Sequence, residues 1–302
     1  MVAQRAFKPD EQDFEAPAEY PTLEELAARV ATLRPVSGVA VRVLALTDEP
    51  AVSAHELADV MSADQALSAK MLRMANSAYY GHARRISSVR DAVVLLGSRT
   101  VRSAVLVSTV MNRSANEGLI DRYNFWRYCV AVGIIASSAA QHRRLDKHMA
   151  FTAGVLHAIG VLALDQQAPE ILGDAVSLAK EGDIALRDAE LALFGYTDAD
   201  LGRELALRWN FPQDLVDSIG AWPAPPESQV GTIAEVLHRA RDLASACGLA
   251  DGIETVAPLE DFEVVLPEIW LTPPWSGALS ALGGPEGIIE KADSFVEATL
   301  LG

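Results

Sequence analysis

The sequence predicts an all-α protein, and three features of its pattern support that fold class. Apolar residues recur at the i, i+3, i+4 spacing of a helix face almost without interruption from Thr22 onward. Residues that start and stop helices fall at the ends of these periodic runs. Only Phe262–Leu266 has a pattern that could form a short strand. With 302 residues, 50% of them hydrophobic, the chain can bury a sizeable core without disulfide or metal staples.

The first predicted lobe spans residues 21–112 and is helical. Asp64 is predicted to cap a long helix that runs to about Tyr80, where Gly81 supplies the left-handed residue that stops it. A later helix is interrupted at Gly97 and then resumes. Further predicted helix starts in this lobe lie at Thr22, Pro35, Ser53 and Ser88.

A second lobe, residues 113–250, follows the polar break Asn112–Gly118. Residues 1–20 are predicted to be a mobile acidic tail. Residues 251–302 form a C-terminal extension, which is rich in proline and glycine at first and ends in a helix over Pro285–Leu300. The predicted helices of the second lobe are Ile120–His142, Asp146–Asp165, Pro169–Lys180, Asp183–Phe194, Thr197–Trp209, Pro212–Ala221 and Gly231–Gly248.

Composition argues against several classes of protein. The formal net charge of −16 repels nucleic acid, so a nucleic-acid partner is not expected. Two cysteines, Cys129 and Cys247, cannot form a disulfide scaffold or a cysteine zinc site, and they fit a reducing compartment. The most apolar stretches, Tyr128–Ala140 and Met149–Leu164, fall short of the ~20 residues that span a bilayer. We therefore expect a cytoplasmic protein with no membrane partner.

Four segments together carry a resemblance to a known family. They read ANSAYYG, ISSVRDAVVLLG, GVLHAIG and, over Phe194–Pro212, FGYTDADLGRELALRWNFP. In order and spacing they resemble the HDOD family from about Thr22 to Gly248. HDOD domains are output domains related to the HD metal-dependent phosphohydrolases. The resemblance implies a two-lobed helical fold, in which an N-terminal lobe packs on an HD-like lobe, and a bacterial regulatory role.

The same resemblance implies that the metal site is degenerate. In catalytic HD proteins, an adjacent His-Asp pair helps to hold a metal that polarises a phosphoryl oxygen. This chain keeps His157, but Ala158 stands where the aspartate would be. The other ligand positions implied by the family fall on Thr197–Asp200, Ile219–Trp222 and Arg241, which lack the expected ligands. Because one imidazole is not a metal site, we predict no catalytic residue, no metal and no cofactor, with His157 as a vestigial position.

The other histidines and two aspartates are not expected to complete a metal site. His142 and His148 flank a polar turn and are expected to face solvent, whereas His238 could approach His157 in the fold. Two histidines without a carboxylate would bind metal weakly. Asp198 and Asp200 lie at a helix start, where they complement the helix dipole.

One segment is basic against the acidic background. From Gly81 to Arg102 the chain has five arginines and one acid, Asp91. Arginine forks beside free helix N–H groups can bind phosphate, carboxylate or an acidic partner, although such arginines can also simply pair with acids or face solvent. The candidate partner-binding or anion-binding residues are Arg84, Arg85, Arg90, Arg99 and Arg102.

Three tryptophans, Trp222, Trp270 and Trp275, lie in proline-rich sequence. They could form an exposed surface for a protein partner or fill the interface between lobes, and the sequence does not separate these two roles.

The sequence thus favours a non-catalytic bacterial signalling protein that acts as a scaffold or output module on a protein partner. Two alternatives stay open. One is a sensor that binds a nucleotide second messenger or another anion in a pocket between the lobes. The other is a residual HD-type metal-dependent phosphohydrolase. Bound metal would indicate the enzyme, and a bound anion would indicate the sensor.

Overall fold

The computed structural model describes residues 20–31, 38–47, 52–81, 85–111, 118–253 and 264–300. All regular secondary structure within these ranges is helical, which confirms the predicted all-α class. The α-helices are α1 Leu23–Ala31, α2 Gly38–Thr47, α3 Ala54–Ser62, α4 Gln65–Ala75, α5 Val89–Met111, α6 Arg122–His142, α7 Lys147–Leu156, α8 Ile159–Gln167, α9 Pro169–Gly182, α10 Leu186–Phe194, α11 Asp198–Arg208, α12 Gln213–Ala221, α13 Ile233–Ala246, α14 Trp275–Leu282 and α15 Gly284–Leu300.

In the first lobe, helices α2, α3 and α4 pack against α5. The predicted break in α5 is present at Gly97, whose φ of 77° is open to glycine and costly for other residues. Helix α1 instead packs on α11 and α8 of the second lobe. The Tyr20 hydroxyl, just before α1, donates to Asp174 at 3.1 Å. The predicted tail, apart from Tyr20, lies outside the described residues.

The end of α4 corrects the predicted long helix. Asp64 caps α4 as expected, since its carboxylate accepts from the Leu67 N–H at 3.0 Å. The helix ends at Ala75, however, and not near Tyr80. The Asn76 side chain accepts from the Ile86 N–H at 2.8 Å and donates to the Ile86 carbonyl at 2.9 Å. These two bonds tie the turn after α4 to the start of the next segment, which a continued helix would not allow.

The HD-like lobe is built around α6, which is buried along most of its length. Helices α7, α13, α14 and α15 all pack on it. Glycines allow two close helix crossings. A Cβ on Gly154 of α7 would lie 2.5 Å from Cα of Gly133 on α6, and a Cβ on Gly160 of α8 would overlap the Asp198 carbonyl at the start of α11. These crossings fix where α7 and α8 meet the rest of the lobe.

The predicted helix Asp146–Asp165 is two helices in the structure. The chain turns at His157 and Ala158, between α7 and α8. The backbone of Ala158 leaves the helical region, with φ −103° and ψ 23°. The sequence pattern missed this turn because both sides of it are equally apolar.

Two stretches are long and apolar enough to cross a membrane by length and composition alone, Val89–Met111 and Lys147–Gln167. They are 50% and 89% buried within the protein. The first is interrupted at Gly97 and the second at the turn after α7. Both stretches contribute to the packed interior, as core helices do.

The C-terminal extension joins the core of the protein. Trp270 and Trp275 are buried, and the Trp270 indole N–H donates to the Arg239 carbonyl at 3.2 Å. Phe295 of α15 packs on Tyr79 and Phe151, which belong to different lobes. Trp222 is buried as well, so the three tryptophans fill the interior and do not form an exposed surface.

The candidate strand in the extension is not seen. Its first two residues lie outside the described part of the chain, and residues 264–266 have no regular structure. Helix α14, which the proline-rich pattern did not predict, forms nearby.

Candidate functional site

His157 lies at the turn between α7 and α8 and has no solvent exposure. Its Nδ1 is 2.6 Å from the Gly154 carbonyl oxygen. Because a carbonyl only accepts hydrogen bonds, Nδ1 must carry the proton. Burial, with a smaller effect from the nearby cation of Arg241, lowers the pKa of His157 to about 3. The ring is therefore neutral, and its buried Nε2 has no hydrogen-bond partner among the residues that the structure describes.

Aromatic rings enclose this imidazole. The Tyr128 ring centroid lies 6.0 Å from that of His157, and the Trp222 centroid lies 5.6 Å away with the two planes at 88°. The guanidinium of Arg241 lies 3.7 Å from the Trp222 centroid and 6.0 Å from the Tyr128 centroid. We call these four residues, Tyr128, His157, Trp222 and Arg241, the Arg241 cluster.

The positive charge of Arg241 is matched within the protein. Burial would lower the pKa of Arg241, but the Tyr128 hydroxyl and the Asp198 carboxylate, with a further contribution from Asp251, raise it overall. Arg241 also forms a hydrogen bond with the Tyr128 hydroxyl. The guanidinium is therefore a permanent cation, close enough to His157 to lower the pKa of that histidine.

The residues present do not fit a divalent metal. Within the described ranges, no group of three or more His, Cys, Asp or Glu side chains is arranged to hold a metal ion. His157 offers one nitrogen lone pair, Ala158 offers none, and the fixed charge of Arg241 would repel a second cation. Of the other positions implied by the family, Arg241 supplies a cation, Trp222 an indole ring and Ala158 a methyl group.

A buried carboxyl pair, missed in the sequence, lies beside this cluster. The Asp198 N–H donates to Glu190 Oε2 at 3.0 Å, and the two side chains are also hydrogen-bonded to each other. Burial raises the pKa of both carboxyls. The charge of Asp198 raises the pKa of Glu190 further, whereas the charge of Arg241 and the hydrogen bond with Glu190 offset part of the rise for Asp198. Asp198 and Asp200 both lie in the first turn of α11, as predicted, and Asp200 forms a capping box with Thr197. The pairing of Asp198 with Glu190 is an additional contact that the sequence did not predict.

The remaining histidines differ in their burial and in their contacts. His142 is exposed, as predicted, and its Nδ1 lies 2.9 Å from the Ser138 carbonyl oxygen. His148 is half-buried, contrary to prediction, because it lies under α5, where Ser103 donates to its carbonyl. Burial lowers its pKa. His238 has its Nδ1 3.1 Å from the backbone carbonyl oxygen of Trp222, and among the described residues it belongs to no group of possible metal ligands.

Of the four predicted arginines that the structure describes, only two line the same cleft. Arg84 lies outside the described residues, while Arg85 and Arg90 are exposed. Arg99 and Arg102, after the break in α5, line a cleft of about 250 Å³. In that cleft Arg99 lies 3.5 Å from Asp146, and Arg102 donates to the Thr47 hydroxyl at 3.3 Å. The role predicted for these arginines stays a prediction.

A larger cavity, of about 360 Å³, lies where the two lobes and the C-terminal extension meet. The sequence pattern did not single out its two lysines as a ligand site, because the lining residues come from six separate segments. Its lining residues are Tyr79, Tyr80, Leu95, Leu96, Thr100, Ser103, Ile134, Ser137, Ser138, Gln141, Lys147, His148, Phe151, Ala281, Leu282 and Lys291.

Comparison with known proteins assigns the family. The family model described as the HDOD domain matches residues 33–225, which is more than half of the chain. The protein belongs to the HDOD domain family.

Solved structures support the fold. An HDOD domain protein of unknown function from Geobacter sulfurreducens is 26% identical with a TM-score of 0.67, over 93% of this chain and 98% of that one. A protein from Shewanella amazonensis SB2B, provisionally named a phosphohydrolase, is 25% identical with a TM-score of 0.67, over 91% and 96%. A provisionally named signal transduction protein from Marinobacter aquaeolei VT8 is 24% identical with a TM-score of 0.64, over 91% and 62%, which shows the shared fold.

A relative found by sequence, an uncharacterized protein from Treponema pallidum (strain Nichols), is 25% identical over 174 residues. The match covers 57% of this chain and 34% of the relative, so this chain corresponds to about a third of that protein's length.

Proposed function

We propose that this chain is a non-catalytic signalling module of the HDOD family, which works in the cytoplasm as a scaffold or output domain for a protein partner. The observation that carries the proposal is the Arg241 cluster. A guanidinium and an indole ring fill the positions where the family resemblance implies metal ligands.

Metal-dependent phosphoester hydrolysis needs several ligands that converge on one cation, and a position left open for water or substrate. His157 supplies one buried lone pair, and the aromatic rings of Tyr128 and Trp222 lie next to its imidazole. Arg241 adds a positive charge that Asp198 and Asp251 already stabilise. A second cation would have to displace this arrangement, and its electrostatic cost rises steeply in a site of low dielectric constant.

The signalling role is supported by family membership and by the name of the Marinobacter relative. The first half of α5 offers a surface for a partner. Val94 and Leu95 are 61% and 56% exposed there, and the exposed Arg90 precedes them by about one helical turn. Apolar side chains beside an arginine suit a protein partner with an acidic, partly apolar face.

The proposal is tested by an assay for hydrolysis of bis(p-nitrophenyl) phosphate by the full-length chain, with Mg²⁺ or Mn²⁺ added. His157→Ala is the matched variant, because it removes the remaining imidazole. We expect the wild type and the variant to show the same background rate with or without metal. Metal-dependent hydrolysis that disappears in His157→Ala would overturn the proposal and favour the residual phosphohydrolase, the activity named for the Shewanella relative.

A further inference from the structure

The inter-lobe cavity has the properties of a ligand site, and it is separate from His157. Its walls come from the turn after α4, from α5 of the first lobe, from α6 and α7 of the second, and from α14 and α15 of the extension. At about 360 Å³ it lies near the lower end of the range typical of small-molecule sites, roughly 300–1,000 Å³.

The charge of this cavity is opposite to that of the protein as a whole. Lys147 and Lys291 line it, and none of its lining residues is acidic, in a chain with a net charge of −16. The Lys291 ammonium donates to the Leu282 carbonyl at 3.0 Å, which holds it in place and leaves two N–H groups for a ligand. Where the chain is described, neither lysine forms a salt bridge with an acidic residue.

The rest of the lining combines aromatic and aliphatic side chains with hydroxyl groups, the Gln141 amide and the His148 imidazole. The Tyr79 ring stacks on Phe151, with centroids 5.2 Å apart and planes 14° apart, and Leu95 and Leu96 lie at the side of the first lobe. Burial raises the pKa of Tyr79 to about 12, so its hydroxyl stays protonated, and it is hydrogen-bonded to Ser137. A ligand with a flat apolar body would find contact area here, and its polar edge would find hydroxyl partners.

We propose that this cavity binds a small organic anion, in which a phosphate or carboxylate group is joined to a flat ring. The two lysines bind the anionic group, and the ring lies among the aromatic and aliphatic side chains. The size of the cavity fits a mononucleotide or an aromatic acid. Because its walls come from both lobes and from the extension, a bound anion holds these three parts together. This site does not depend on whether the Arg241 cluster is catalytic.

The test uses three probes on the full-length chain: AMP, benzoate and inorganic phosphate. AMP and benzoate carry a ring and an anion, whereas inorganic phosphate has no ring. Binding is measured by calorimetry and by the shift in Tm. We expect AMP or benzoate to bind more tightly than inorganic phosphate and to raise Tm. A preference for AMP identifies a phosphate ligand, and a preference for benzoate identifies a carboxylate.

Variants locate the binding. Lys147→Gln combined with Lys291→Gln should weaken the preferred probe by about tenfold or more, as expected for the loss of charge-assisted hydrogen bonds. Ala281→Trp, an exposed position on the cavity lining, should block the site. Lys180→Gln, an exposed lysine on α9 that does not line the cavity, is the control and should bind normally.

Three results would overturn the proposal. The first is that neither ring-bearing probe binds the wild type or shifts its Tm. The second is that the double lysine variant binds as tightly as the wild type. The third is that binding is lost in Arg99→Gln and kept in the lysine variant, which would place the anion in the smaller cleft. Tm values without ligand show whether each variant is folded.

Discussion

The Arg241 cluster and the inter-lobe cavity both place positive charge inside an acidic protein, but they differ in what surrounds that charge. Arg241 is covered by Trp222 and Tyr128 and is stabilised by carboxylates of the same chain. Lys147 and Lys291 line an open cavity with no acidic residue. The charge of Arg241 is compensated by groups within the protein, whereas the two cavity lysines have N–H groups that can bind a ligand. In this HDOD protein the metal position implied by the family resemblance and the candidate ligand site are therefore different places.

The largest effect on stability is expected when the contacts of Phe295 with two aromatic residues of the cavity lining, Tyr79 and Phe151, are removed. Phe295 is fully buried against Tyr79 and Phe151, so Phe295→Ala should lower the free energy of unfolding by about 3–5 kcal/mol. It should also abolish any probe-dependent rise in Tm, because α15 would no longer hold Lys291 in place. Urea unfolding measures the first effect. Leu271→Ala, at a side chain that is 60% exposed, is the control, and an equal loss there would contradict the assigned role of Phe295.

A somewhat smaller effect is expected when the cation of the cluster is removed. Arg241→Ala leaves Asp198 buried without its cation and opens a gap beside Trp222, so unfolding should become easier by about 3 kcal/mol. Arg208→Ala breaks an i,i+4 pair with Glu204 that is about a third exposed and should cost about 0.5 kcal/mol at most. Denaturant unfolding of both variants compares the two sites. Equal costs would mean that Arg241 is not an internal partner of this core.

Glu190→Gln should change how stability depends on pH. The pKa of Glu190 is raised in the folded protein, so the folded state holds a proton that the unfolded state releases above its ordinary carboxyl pKa. The associated stability is complete at low pH and is lost as pH rises through the folded pKa. Above pH 6 and below the folded pKa, the wild type should lose roughly 1 kcal/mol for each pH unit, a loss that Glu190→Gln should not show. Tm measured across that range tests this, and parallel curves would show that the pair does not hold an extra proton.

The smallest effect on stability is expected in the cavity itself. Lys147→Gln combined with Lys291→Gln should change the free energy of unfolding by no more than about 0.5 kcal/mol, because neither lysine supports a buried acid. The free energies of unfolding of this double variant and of Arg241→Ala can then be compared directly. A loss as large as that of Arg241→Ala would make the cavity lysines structural.

Much of this fold could be predicted from sequence because helix periodicity and caps act locally. Asp64, Ser88 and Gly97 act on residues within a turn of themselves, and the structure has them as predicted. The departures have long-range causes. Asn76 ends α4 through bonds to Ile86, ten residues later.

For the candidate site, too, the sequence identified single residues but not the contacts between distant helices. Ala158 and Arg241 carry the prediction of a degenerate metal site, which stays a prediction, since ligand chemistry is a property of single residues. The sequence did not reveal that Asp198 pairs with Glu190, or that His148 is half-buried under α5, because both depend on how distant helices cross. For the same reason, the sequence did not reveal that the two cavity lysines line the same cavity, since they lie 144 positions apart in the chain.

The most direct test of the central claim is a titration of Mn²⁺ into the metal-free, full-length protein, followed by calorimetry and by measurement of bound metal after desalting. Our account predicts that the wild type retains no stoichiometric metal and gives the same heat as His157→Ala, because Arg241 and Trp222 fill the positions around the single imidazole. One equivalent of tightly bound metal in the wild type, lost in His157→Ala, would contradict it.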